Sequence, residues 1–135
     1  MAPDNSRRGP SRRGALAWLA GAAAVLSGRP ALAAVSPEAR LARLAGRSPR
    51  AARAIGNAYL GALTGPRPTP AALVEAVASR IDLAPDAVAG LGHDALAGRI
   101  EAAIRQDFER YDTAVVDGWV LSSTEARLCA LVALR

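Results

Sequence analysis

Three times in this chain a hydroxyl residue is followed at once by proline: Ser36-Pro37, Ser48-Pro49 and Thr69-Pro70. The hydroxyl can accept from an exposed amide of a first helical turn, and the missing proline N–H costs nothing there, so each pair marks a helix start. Glycine and proline supply the stops. A helix from Pro37 to Ala45 carries Leu41 and Leu44 on one face and ends at Gly46, a residue suited to a left-handed cap. A second, from Pro49 to Leu63, repeats Ile55, Tyr59 and Leu63 and ends before Gly65-Pro66-Arg67-Pro68. A third runs from Pro70 to about Arg80, with Leu73, Val77 and Ile81 along one face and Val74 beside them.

Residues Asp82 to His93 are less regular and form a connector, in which Pro85 can open a short turn through Val88 before Gly90 and Gly92 interrupt it. Asp94 is placed to cap a fourth helix reaching about Arg110, with an apolar stripe of Leu96, Ile100, Ile104 and Phe108. The period then changes. Thr113–Val116, Asp117-Gly118 and Trp119–Leu121 read as a small hairpin, because Asp-Gly takes the positive φ angles of a two-residue turn. Ser122 with Glu125 forms a capping box for a final helix from about Ser123 to Leu134, whose apolar face includes Leu128, Leu131 and Val132.

These elements predict a mainly α fold: a small bundle of four to five short helices with a short β-hairpin before the C-terminal helix, in one domain over residues 34–135. An isolated two-stranded hairpin is marginal in water. Val115, Trp119 and Leu121 are therefore expected to rest against the helices or against another protein. Trp119 itself is either a core plug or an interface anchor.

Residues 1–33 have a different character. Arg7, Arg8, Arg12 and Arg13 precede an Ala/Gly-rich apolar run from Ala15 to Leu26, and Ala31-Leu32-Ala33 follows it. That run of about twelve residues is short of the roughly twenty that cross a bilayer, so no stable transmembrane anchor is expected. Charged, apolar and small-residue regions in this order are those of a cleaved export signal, with Ala31 and Ala33 at the cleavage site. Arg12, Arg13 and Leu16 resemble the twin-arginine signal, although Ala15 stands where that signal carries a bulky residue. The expected location after cleavage is the periplasm or another exported compartment.

The leader also accounts for most of the charge excess. Of seventeen basic and twelve acidic residues, five arginines and Asp4 lie within residues 1–33, which leaves twelve basic against eleven acidic. A nucleic-acid partner, which rewards a basic surface through counterion release, is not expected. Cys129 is the single cysteine, so no internal disulfide can form.

No catalytic, cofactor-binding or metal-binding residue is assigned. His93 and Cys129 are each alone of their type, which excludes the usual His/Cys metal spacing and the Cys-x-x-Cys-His of covalent haem. His93 is expected in a loop or at a helix start, and Cys129 in the core, with an intersubunit contact as the remaining possibility. Asp107, Glu109, Asp112 and Asp117 lack the ligand spacing of a calcium loop and are expected to be solvated. Gly56 lacks the strand and companion glycines of a phosphate loop, so a close helix crossing explains it better. Asn57 and Tyr59 are read as buried hydrogen-bonding residues.

The leader SRRGAL, the helix AIGNAYLGAL and the closing segment GWVLSSTEARLCALVAL resemble the small subunits of membrane-associated flavin-dependent sugar and alcohol dehydrogenases. In that family the small subunit carries the twin-arginine signal and folds beside a catalytic subunit, which holds the flavin, and a cytochrome subunit, which holds the haem. The resemblance implies a non-catalytic accessory subunit of an exported oxidoreductase, with the twin-arginine translocation machinery and a larger cofactor-loaded subunit as partners. Val115, Trp119 and Leu121 of the hairpin, together with the final helix, are its expected partner interface. The alternative is a stand-alone periplasmic binding protein whose pocket is lined by Tyr59, Phe108 and Trp119.

Overall fold

In a computed structural model, which describes residues 34–135, the three hydroxyl-proline pairs open three helices. Ser36, Ser48 and Thr69 accept from the amides of Ala39, Ala51 and Ala72 at 3.3, 3.2 and 3.2 Å. Each thereby satisfies one of the amides that a first turn leaves without a partner. The order is α1 (Pro37–Ala42), α2 (Pro49–Ala62), α3 (Pro70–Arg80), α4 (Ala87–Gly90), α5 (His93–Glu109), β1 (Thr113–Val116), β2 (Trp119–Ser122) and α6 (Ser123–Ala133). The fold is thus mainly helical, with a two-stranded antiparallel hairpin before the last helix. The leader positions Arg12, Arg13, Leu16, Ala31 and Ala33 lie outside the described residues.

Helix α6 is the centre of the bundle. Its buried residues include Ala126, Leu128, Cys129, Ala130, Leu131 and Val132, and α1, α2, α3 and α5 all pack on it, α2 most extensively. Burial on almost every face suits a helix whose second half, Leu128 to Ala133, is wholly apolar. The main core gathers Leu41, Leu60, Leu73, Val77, Leu96, Ile100, Leu128 and Leu131.

At the α2–α6 crossing the two backbones touch. A Cβ on Gly56 would lie 2.1 Å from the carbonyl oxygen of Cys129 and 2.9 Å from the Ala130 nitrogen. Only a residue without a side chain permits this approach. The expected close crossing is therefore present at Gly56, and the buried stripe of α2 is Ala52, Gly56 and Leu60. Ile55 and Tyr59 flank that stripe as half-buried residues, while Leu63 and Asn57 are exposed. The expected Ile55–Tyr59–Leu63 face is displaced because small residues, not large ones, let the helices meet.

Other boundaries also shift. Helix α1 ends at Ala42, and its last turn tightens through Leu44 N–H to Leu41 C=O and Ala45 N–H to Ala42 C=O before Gly46 turns the chain at φ 110°. Helix α5 begins at His93 with Gly92 as its N-cap, so Asp94 is not the cap but an acidic residue of the first turn. There its charge still complements the helix dipole. Among the described residues no helix is long and apolar enough to cross a membrane.

Candidate functional site

The hairpin turns at Asp117 and Gly118, whose φ angles of 48° and 83° are both positive, as a two-residue turn matched to strand twist demands. That turn fixes the register: Val116 faces Trp119, Val115 faces Val120, Ala114 faces Leu121 and Thr113 faces Ser122. Side chains alternate along a strand, so Ala114, Val116, Trp119 and Leu121 share one face, and Thr113, Val115 and Val120 share the other. The first face turns inward. Val116 is buried, Ala114 and Leu121 are half-buried, and Trp119 projects at the tip.

The three expected interface residues are therefore not one cluster, and the final helix, expected beside them in the interface, is buried in the bundle along most of its length. Leu121 lines an apolar pocket of about 220 Å³ with Leu44, Ile55, Ile104 and Leu128. Trp119 is 72 % exposed and Val115 67 % exposed, the latter beside Val120 at 57 %. Trp119 is thus no core plug in this chain. Tyr111, at the entrance to β1, is also exposed, and so is Phe108. Val120, paired with Val115 on the same face, and Tyr111 are further exposed apolar residues on and beside the hairpin; the sequence signal that pairs Val115 with Val120 is the two-residue length of the Asp-Gly turn.

A polar junction holds both ends of the hairpin. Asp107, fully buried at 0 % exposure, accepts from the Thr124 amide at 2.8 Å and from the Arg80 guanidinium. Arg80 also lies 3.5 Å from the Asp112 carboxylate. The Asp112 amide donates to the Asp107 carbonyl at 2.9 Å, and the Ser123 amide donates to the Asp112 carbonyl at 3.0 Å. Next to it the expected capping box is complete: Glu125 N–H donates to Ser122 Oγ at 3.0 Å, and Ser122 N–H donates to Glu125 Oε2 at 2.9 Å. Three carboxylates thus surround the amino end of α6, where the helix dipole favours negative charge.

Burial by itself would raise the Asp107 carboxyl, but the hydrogen bonds from Thr124 and Arg80 and the Arg80 charge carry it below its ordinary value. The hydrogen bond from Arg80 to Asp107, reinforced by the nearby carboxylate charges, raises the guanidinium in turn against the cost of its own desolvation. Asp107 was expected to be solvated; it is instead the buried anion on which α3, α5 and α6 converge. Glu109 and Asp117 are exposed and Asp112 is half-buried.

The remaining chemistry-bearing residues are dispersed. His93 is exposed at the first position of α5. Cys129 is buried, its thiol pushed up to about 11, first by desolvation and then by the Glu125 charge. A buried thiol held protonated is neither a ready nucleophile nor presented to another chain. Among the described residues no three His, Cys, Asp or Glu side chains are grouped to hold a metal ion. Tyr59 packs against the main core while Phe108 and Trp119 are exposed, so these three do not come together as a buried pocket. Comparison with family models, curated proteins and solved structures finds no match to the chain.

Proposed function

We propose that this chain is a non-catalytic accessory subunit that docks through its hairpin onto a larger, cofactor-loaded exported oxidoreductase and supplies the export signal for the pair. The observation that carries the docking role is the concentration of exposed apolar side chains, Trp119, Val115, Val120 and Tyr111, on and beside one small hairpin. Isolated surface hydrophobics are ordinary, but several large ones on one short hairpin, Trp119 on one face and Val115 and Val120 on the other, offer a partner an aromatic anchor and apolar area. The polar junction beneath presents this group on a fixed base, which lowers the ordering cost of association.

The export role and the oxidoreductase partner rest on the leader, with Arg12-Arg13 before a mildly apolar run. The twin-arginine route carries cargo folded before export, often because a cofactor is inserted inside the cell, and a small escort can supply the signal for such a cargo. Flavin or haem then belongs to the partner, and the chain itself contributes binding surface.

Affinity purification of the tagged chain from membrane and periplasmic fractions, with mass spectrometry and an absorption spectrum, tests the reading. A stoichiometric large subunit carrying flavin or haem absorption is expected; a colourless, lone monomer overturns it. Replacing Arg12 and Arg13 with lysine is expected to strand both subunits in the cytoplasm, and unchanged export would remove the twin-arginine route.

A further inference from the structure

We infer that the cleft between the end of α1, the first half of α2 and the end of α6 binds a small organic anion, a carboxylate or phosphate monoester with a short apolar body. The cleft has a volume of about 510 Å³, within the range of small-molecule sites. Its floor is apolar: Ala42, Ala52 and Val132, the last two part of the small cluster that packs around Cys129. Its rim carries Arg43, Arg53 and Arg135, which reach it from three separate parts of the chain.

The arginines of this protein divide by what they do. Arg40 donates to the carbonyls of Ala89, at 2.8 Å, and Leu91, Arg99 donates to the Ile81 carbonyl at 2.8 Å, and Arg80 pairs with Asp107 and Asp112. These three tie the fold together. Arg43, Arg53 and Arg135 are exposed and form no ion pair among the described residues. Glu38 is the carboxylate whose titration feels Arg135, and its lowered value owes more to Ser36 and to its own backbone than to that charge. A guanidinium offers a planar fork of donors matched to carboxylate and phosphate oxygens. Three of them over an apolar floor call for a ligand with both an anionic head and an apolar body. The cleft shares none of the hairpin residues, so this inference does not rest on the accessory role.

The test is a titration of the full chain with octyl phosphate, followed by calorimetry and by the amide resonances of Ala52 and Val132. One saturable site is expected, with those resonances shifting. The paired substitution Arg43→Ala/Arg53→Ala should raise Kd tenfold or more. Arg47→Ala/Arg50→Ala, which removes the same charge from exposed positions outside the cleft, should leave it within about twofold, and inorganic phosphate and octyl glucoside should each bind at least tenfold more weakly. No saturable binding would overturn the inference, as would equal losses in the two arginine pairs or phosphate binding as tightly as its octyl ester. Sedimentation with phosphatidylglycerol vesicles that octyl phosphate fails to compete away would overturn it too, by making a membrane surface the occupant.

Discussion

The junction around Asp107 and the hairpin it holds are adjacent in sequence and opposite in construction. At the junction Asp107 is buried with a cation and a helix amide as partners, and beside it Ser122 and Glu125 satisfy each other's amides in the capping box. A few residues later Trp119, Val115 and Val120 are large, apolar and exposed. The charged residue is inside and the tryptophan is outside. The difference separates what holds the fold together from what is free to meet a partner: removal of the first should destabilise the fold strongly, and removal of the second should leave its stability nearly unchanged.

The largest effect is expected at the anion. Asp107→Ala leaves Arg80 and the Thr124 amide without their partner, and loss of one member of a buried ion pair costs about 4 kcal/mol. Thermal unfolding should fall by roughly 20 °C for a domain of this size. The pH dependence has a definite sign. The folded carboxyl lies below its ordinary value, so the unfolded chain binds more protons in the acid range and stability rises with pH there. Asp107 therefore stabilises the fold above about pH 4, and this contribution is lost as pH falls through the lowered folded value. Asp107→Asn should be less stable at neutral pH and show a shallower acid limb; an unchanged limb in denaturant titrations would remove Asp107 as its source.

Gly56→Ala comes next, at about 3 kcal/mol, because the new methyl meets the α6 backbone and not a side chain that can rotate away. Scanning calorimetry should register roughly 15 °C. Ser122→Ala opens the capping box while leaving Asp107 in place, and about 1 kcal/mol is expected by urea denaturation. The smallest effect belongs to the hairpin tip: Trp119→Ala should change stability by less than about 0.5 kcal/mol, as exposed positions do. A larger loss would mean that Trp119 packs on its own chain.

Much of this organisation was legible in the sequence. The three hydroxyl-proline starts, the Asp117-Gly118 turn and the Ser122–Glu125 box are local signals that local hydrogen bonding or sterics is enough to impose, and Gly56, a glycine inside a helix with no phosphate-loop context, pointed to a close crossing without naming the helix it meets. What was not legible depended on which face of a helix meets a neighbour. On α5 the strict four-residue stripe Leu96–Ile100–Ile104–Phe108 drifts about 120° around the axis over its length. The buried set is Leu96, Ile100, Ala103 and Asp107, which keeps to one face by mixing steps of three and four. That spacing could have placed Asp107 inside; its charge argued against it, because its partner Arg80 is contributed by a distant helix. On the hairpin, the length of the turn was enough to separate Val115 from Trp119 and Leu121, whereas the exposure of Trp119 required the packed bundle.

The most direct measurement combines both halves of the comparison in one variant, Trp119→Ala/Val120→Ser, scored for thermal stability and for copurification of a flavin- or haem-bearing subunit. The account predicts a melting temperature within about 3 °C of the parent and loss of the larger subunit by tenfold or more. A variant that unfolds, or one that stays folded and retains its partner in full, would contradict the hairpin as the docking surface.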